Sequence, residues 1–295
     1  MTVYAVGLDN DKTLMRFIGC AQELGEAVEL VNLHDLLEAP WCWSAPAALG
    51  PSMAGTRSLD PNAAFYARLV DLSPVLIEPD AGRWRSMLTG VAAFLESAPG
   101  IVVNRPGSQI HNAAKPLHEC WLARRGFHVP PALTTADPTD IEAFVGRHGR
   151  VIVKTLCGIR ATAQVMTWSD LTTFRPEQGP IHLQKVIDGF DVRVHMVGAE
   201  AHAERIDSDG PDYRERSAET RHTAHAPPAD LVARMASASA EMGLAFTGWD
   251  FKVDSDGVYW CLEANPMPGY DVYDRRCDGA ISRALLEHLR HGDPH

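Results

Sequence analysis

The chain has 295 residues, 45% of them hydrophobic, and a formal net charge of −11. That is enough length and apolar content for two or three small domains with ample core, while the acidic balance argues against a nucleic-acid backbone as a partner. No apolar run reaches membrane-spanning length, and the start Met-Thr-Val-Tyr-Ala-Val-Gly-Leu lacks the basic opening and long apolar region of a signal peptide, so a soluble cytoplasmic protein with no membrane partner is expected.

In chain order, residues 2 to 8 read as a strand, 12 to 24 as an amphipathic helix ending before Gly25, and 27 to 32 as a second strand. This βαβ-like opening lacks the Gly-x-Gly-x-x-Gly of dinucleotide-binding folds. Residues 39 to 61, rich in Pro, Ala, Gly and Ser, read as loop. Helical patterns are expected over 62 to 71 and 81 to 97, and a buried strand over 100 to 103 leads into Asn104-Arg105-Pro106-Gly107, where a domain boundary is placed.

The middle region reads as a helix from 112 to 125 stopped by Gly126, a strand through Phe127 to Thr135, a helix over 139 to 148 and the strand Arg-Val-Ile-Val-Lys-Thr with Lys154 at its exit. The small-residue stretch Cys157 to Thr162 follows. A third region begins near 181 with a strand punctuated at Asp188-Gly189, then strands at 190 to 197 and 200 to 207 turning at Gly198. A helix over 228 to 242, a hairpin over 246 to 265 and a last helix over 278 to 290 complete the chain. No internal repeat is visible.

Six cysteines, none in a Cys-x-x-Cys pair, read as reduced and mostly buried thiols. Thirteen histidines include His222 with His225 and His288 with His291, without a companion cluster that would complete a metal site. Only five of the 27 basic residues are lysines, so each marks a place where a compact ammonium is wanted. Lys154 stands out because it ends an apolar strand directly before a small-residue loop.

The hairpin is the most informative stretch. Trp249, Phe251 and Val253 alternate with Gly248, Asp250 and Lys252; Val258, Trp260, Leu262 and Ala264 alternate with Tyr259, Cys261, Glu263 and Asn265. A two-residue Asp256-Gly257 loop puts Asp250 opposite Glu263, a four-residue loop keeps them on one face, and a three-residue loop separates them. Two carboxylates and the Asn265 amide oxygen on one face suit a hard cation such as magnesium. The same pattern also fits a hairpin whose polar side faces solvent.

Taken in order, Lys115 in Asn-Ala-Ala-Lys-Pro, GFHVPPALTT, VIVK, LCGIR, LQKVIDGFDVRVHMVG, AERIDSDGPDYR and WDFKVDSDGVYWCLEANPMPG make residues 104 to 290 resemble the ATP-grasp ligases, within them the RimK-like and glutathione-synthetase-like group. The resemblance implies an α/β (α+β) ATP-grasp fold: a small α/β N-terminal domain (1–103) before two α+β subdomains (104–180 and 181–295) that grip ATP. It implies ATP and Mg2+ as cofactors, with Mn2+ able to substitute. Lys115 and Lys154 would bind phosphates, the backbone of Gln184, Lys185, Val186 and Ile187 adenine, and Asp191 the ribose. Arg193 and Arg205 would face the transferred phosphoryl group, Arg160 and Arg214 would reach phosphate or substrate, and Asp250, Glu263 and Asn265 would hold the metal.

The activity implied is ligation of a carboxylate, activated as an acyl phosphate with release of ADP, to an amine on a small molecule or a peptide; a homodimer is compatible with it. An ATP-grasp kinase acting on a hydroxyl, or a silent ATP-binding partner protein, are the alternatives. Departures from the pattern are Lys185 in place of Glu, a single Gly158 in the phosphate loop, and Arg214-Glu215-Arg216 in place of Arg-x-Asn.

Overall fold

The computed structural model describes residues 2–43, 52–55, 57–108, 114–154, 164–166, 177, 179–208 and 220–292. The chain opens with β1 (Val3–Gly7), α1 (Lys12–Glu23), β2 (Val28–Asn32) and the short α2 (Asp35–Glu38). Asp11 caps α1 by accepting from the backbone N–H groups of Thr13 and Leu14, and Leu14, Phe17, Ile18 and Ala21 then line its buried side at helical spacing.

Residues 39 to 61, expected as loop, contain β3 (Trp41–Cys42), β4 (Ser52–Ala54) and β5 (Arg57–Leu59), a small antiparallel ribbon. The helix expected over 62 to 71 is instead β6 (Ala64–Ala67), a strand buried on both faces. It pairs in parallel with β1 and with β7 (Val102–Val103), giving a sheet of order β2-β1-β6-β7. A short apolar run carries no periodicity that separates a two-sided buried strand from a buried helix, so only the sheet decides. The helix α3 (Asp80–Ser97) covers one face of this sheet through Trp84, Met87, Val91 and Phe94.

The middle region contains α4 (Lys115–Ala123), β8 (Ala132–Thr135), α5 (Pro138–His148), β9 (Val151–Lys154), β10 (Gln164–Met166) and β11 (Ile181–Lys185). They form an antiparallel sheet of order β10-β9-β11-β8, with α5 packed on Leu183 and Val151.

The last region holds β12 (Phe190–Val197), β13 (Glu200–Ser208), β14 (Thr220–His225), α6 (Ala229–Glu241), β15 (Phe246–Val253), β16 (Tyr259–Asn265), α7 (Asp271–Arg276) and α8 (Ala280–His291). Its five-stranded antiparallel sheet has the order β14-β13-β12-β15-β16. One face carries Val192, Val194, Met196, Trp249, Phe251 and Val253, and packs on Leu231 and Met235 of α6 and Leu122 of α4. Each large apolar side chain buried there contributes about 1.5–3 kcal/mol. The other face is apolar only at one end, where Val197 and Phe246 join Tyr66, Tyr270, Leu285 and Leu289 in a core shared with α1, α8 and the parallel sheet. Its remaining length is polar and forms the site.

No helix among the described residues is long and apolar enough to cross a membrane.

Candidate active site on the polar face of the five-stranded sheet

Asp250 and Glu263 are cross-strand partners, as are Gly248 and Asn265. The route differs from a two-residue loop. Val253 pairs with Tyr259, leaving the five residues 254 to 258 in the loop. Asp254 organises them: its carboxylate accepts from Asp256 N at 3.0 Å, Val258 N at 2.9 Å and Trp260 Nε1 at 2.7 Å, and Gly257 supplies a φ of +78°.

On that register Asp250 would face Leu262 and leave Glu263 on the other face. A bulge between Asp250 and Phe251 takes up one residue of β16 and restores the pairing. The bulge also corrects the expected faces: Cys261 is fully buried opposite Phe251, and Trp260 lies opposite Lys252 on the polar side. Burial, with Asp250 and Glu263 nearby, pushes the Cys261 thiol well above its ordinary value, so it stays protonated.

Strand β12 supplies the matching charges. Asp191 lies opposite Lys252 and Arg193 opposite Asp250. Lys252 Nζ donates to Asp191 at 2.8 Å, and Arg193 Nη1 donates to Asp250 Oδ2 at 2.6 Å, with all four side chains largely buried. The opposite charges compensate each other's desolvation; removing one would strand its partner in a poorly solvated place. Arg193 Nε also donates to His195 Nε2 at 3.3 Å. The guanidinium runs across Gly248, where a Cβ would meet Arg193 Nη2 at 2.4 Å and Pro268 Cβ at 2.6 Å. Glycine is required there because the arginine occupies the volume of a side chain. Burial, with Arg193 beside it, holds the His195 imidazole well below its ordinary value, so it is neutral.

The small sheet contributes a second polar group. Lys154 Nζ donates to Gln184 Oε1 at 2.7 Å, and Gln184 Nε2 donates to Glu119 Oε1 at 2.9 Å. His182 joins Glu119 at 3.0 Å through Nε2 and Thr134 at 2.9 Å through Nδ1. Glu119 belongs to α4, and its neighbour His118 accepts at Nε2 from Ala264 N at 3.0 Å, between Glu263 and Asn265. Through adjacent residues, α4 thus bridges the lysine-bearing sheet and the carboxylate-bearing strand. Lys115 begins this helix one turn before His118 and on the same side.

Of the remaining expected site residues, Gln184 and Ile187 are buried and Lys185 and Val186 half-buried. The N–H groups of Lys185 and Val186 donate to Pro131 O and Arg150 O, so a purine edge would be read by other groups of this segment. Arg205 does not join the polar face. It pairs with Val192, its guanidinium lies 3.8 Å from the Phe190 ring centroid, and it forms an ion pair with Asp207, whereas Glu204 occupies the position opposite Arg193. Counting back from the turn at Gly198, where Val197 meets Glu200, would have placed it so. Arg160 and Arg214 lie outside the described residues. Sequence reasoning missed Glu119, His118 and His182; their roles depend on long-range pairings, and only the alternation of His182 with Gln184 on one strand hinted at a shared face.

The described residues hold no cluster of three or more His, Cys, Asp or Glu side chains arranged for a metal. Asp250, Glu263 and Asn265 form a sparser oxygen set, with the Asn265 Oδ1 steadied by Met267 N at 2.9 Å. Two carboxylates and an amide fit magnesium, which keeps waters and substrate phosphates as its other ligands.

No protein-family profile matches the chain, and no curated protein does. Solved structures do. The ATP-grasp ligase PsnB complexed with minimal precursor superposes with a TM-score of 0.82 at 24% identity, covering 98% of each chain. The macrocyclase MdnC of Microcystis aeruginosa MRC bound with precursor peptide MdnA gives 0.83 at 17% identity, over 98% of this chain and 99% of that one. A RiPP-associated ATP-grasp ligase of Chryseobacterium gregarium, in complex with ADP and a leader and core peptide, gives 0.80 at 15% identity, over 100% and 98%. The chain has the ATP-grasp fold. This agrees with the resemblance carried by the motifs between Lys115 and the acidic hairpin.

Proposed function

We propose that this protein is an ATP-dependent ligase that activates a carboxylate as an acyl phosphate and joins it to an amine, with peptides as its substrates. The observation that carries this reading is one polar sheet face on an ATP-grasp fold. That face puts Asp250, Glu263 and Asn265 in adjacent cross-strand positions beside Arg193, with Lys115 on α4 and Lys154 on the small sheet that α4 bridges to it. Peptide substrates are supported by the similar structures that hold precursor peptides.

In this reading Lys115 and Lys154 bind the ATP phosphates, the 184–187 segment takes adenine, and Asp191 takes the ribose. Asp250, Glu263 and Asn265 would hold Mg2+, or Mn2+ in its place, which when bound would supply charge neutralisation at the phosphates. A substrate carboxylate oxygen attacks the γ-phosphorus, the bond from that phosphorus to the β,γ-bridging oxygen breaks, and ADP leaves. An amine nitrogen then forms the bond to the acyl carbon, inorganic phosphate departs, and the amine proton passes to solvent. Arg193, held by Asp250 and His195, stabilises the transferring phosphoryl group, and positioning plus charge compensation suffice without a protein nucleophile.

The test is incubation with ATP, Mg2+ and peptides bearing Asp or Glu together with Lys, with ADP release and product mass followed together. Loss of one water per ADP formed is the expected result. Gain of a phosphoryl group on a hydroxyl would establish a kinase instead, and ATP binding without turnover on any peptide would establish a silent partner.

A further inference from the structure

The loop after β16 runs Asn265-Pro266-Met267-Pro268-Gly269, and its two prolines have no N–H to donate. Met267 N donates to the Asn265 side chain, and the carbonyls of Pro266 and Pro268 are met by groups from elsewhere in the chain. Asn104 Nδ2 donates to Pro266 O at 2.6 Å and also to Phe246 O at 2.6 Å, and Asn104 Oδ1 accepts from Phe246 N at 3.0 Å. This buried amide therefore uses both its protons and its oxygen. It ties the start of β15, four residues before Asp250, to the residue that follows Asn265.

A second tie comes from the parallel sheet. Arg68, at the exit of β6, is 7% exposed; its Nη1 donates to Pro268 O at 2.8 Å while its Nε donates to Asp11 at 2.7 Å. Asp11 is itself the cap of α1, so Arg68 is fixed from behind. Pro268 in turn packs where a side chain on Gly248 would go, against the Arg193 guanidinium. Two chain segments that precede the candidate site thus converge on one five-residue stretch that bears a candidate metal ligand and walls the candidate catalytic arginine.

We propose that Asn104 and Arg68 are positioning residues for the metal site, so that the N-terminal layer sets the affinity for the divalent cation by holding the 265–269 loop in register. The inference rests on the ligase reading above for the identity of the ligands. Neither residue touches the cation; each fixes a carbonyl next to a group that does, or that contacts Arg193, as the outer partners of metal ligands generally do.

The experiment is a titration of the full-length protein with Mn2+ in the presence of saturating ADP, read by electron paramagnetic resonance, with ADP affinity measured separately in chelator. Three variants are compared: Asn104→Ala, Arg68→Lys and Trp84→Phe. The last loosens the N-terminal core at a fully buried residue away from the loop. The expected result is Mn2+ affinity weakened by roughly tenfold or more in Asn104→Ala and Arg68→Lys. ADP affinity in chelator should hold within about twofold, and Trp84→Phe should lower only the melting temperature.

If Asn104→Ala does not fold, Arg68→Lys decides, since it keeps the charge against Asp11 while shortening the reach to Pro268. Unchanged Mn2+ affinity in the folded variants overturns the proposal, as does an equal loss in Trp84→Phe, which would mark a general loosening. Failure of the wild type to bind Mn2+ with ADP overturns the metal-site reading itself, a different outcome from wild-type binding with indifferent variants.

Discussion

Arg193 and Asp250 face each other on neighbouring antiparallel strands, joined at 2.6 Å with side chains only 7% and 10% exposed. A buried pair of this kind contributes little net stability over an apolar isostere, but truncating one partner leaves an uncompensated charge. Arg193→Met and Asp250→Leu are each expected to lower stability by about 3–5 kcal/mol, and the double variant to recover much of that loss. Chemical denaturation of the four proteins measures the coupling. Ligase activity is expected to be absent in both single variants and to stay absent in the double variant, which separates the pair's proposed catalytic role from its structural one.

Gly248→Ala tests the space the arginine needs. The new methyl would stand 2.4 Å from Arg193 Nη2, so the guanidinium must move away from Asp250 or the 265–269 loop must shift. Turnover is expected to fall about a hundredfold, as misplacement of a catalytic group by an ångström can cause. Steady-state kinetics beside a melting curve reads this; a turnover loss no larger than the change in folded fraction would count against it.

Glu119 receives hydrogen bonds from Gln184 and His182, and thereby supports the residue that holds Lys154. Glu119→Ala leaves buried polar groups without their acceptor, at about 1–3 kcal/mol. The expected kinetic signature is a raised KM for ATP with kcat changed less, because the proposed chemical groups, Arg193 and the acidic hairpin, are left in place.

His195 makes stability pH-dependent. Its folded form refuses a proton because of burial and the neighbouring Arg193, while the unfolded chain accepts one near the ordinary value of 6.5. The unfolded state therefore binds more protons as pH falls below that value, and stability is lost in the same direction, at up to about 1.4 kcal/mol per pH unit from this site. Above it the term is flat. Urea unfolding at pH 7.5, 6.5 and 5.5 should show this slope in the wild type and a smaller one in His195→Phe.

Much of the architecture is legible in the residues. Asp11 before an apolar helical stripe announces α1, and the alternation on β15 puts Gly248, Asp250 and Lys252 on one face whatever they pack against. The ordered motifs around Lys115, Lys154, Gln184 and the acidic hairpin point to the fold that the superpositions then display. The pairing of Asp250 with Glu263 was anticipated, but through a two-residue loop; a five-residue loop and a bulge reach the same register. A bulge leaves no local mark in sequence, since it is selected by which residues the facing core accepts.

The tertiary structure alone decided where long-range partners meet. Ala64–Ala67 became a strand because two strands were available to pair with it, a fact its own composition does not carry. Arg205 turned to the helix-covered side because its partner across the sheet is Val192. Asn104, Arg68 and Glu119 acquired their roles from atoms 142 to 200 and 63 to 65 positions away in the chain. Local preferences act over one turn or one strand pair, so they establish the elements and their faces. Which faces meet, and which carbonyl an amide finds there, follows from packing the whole chain around shared cores.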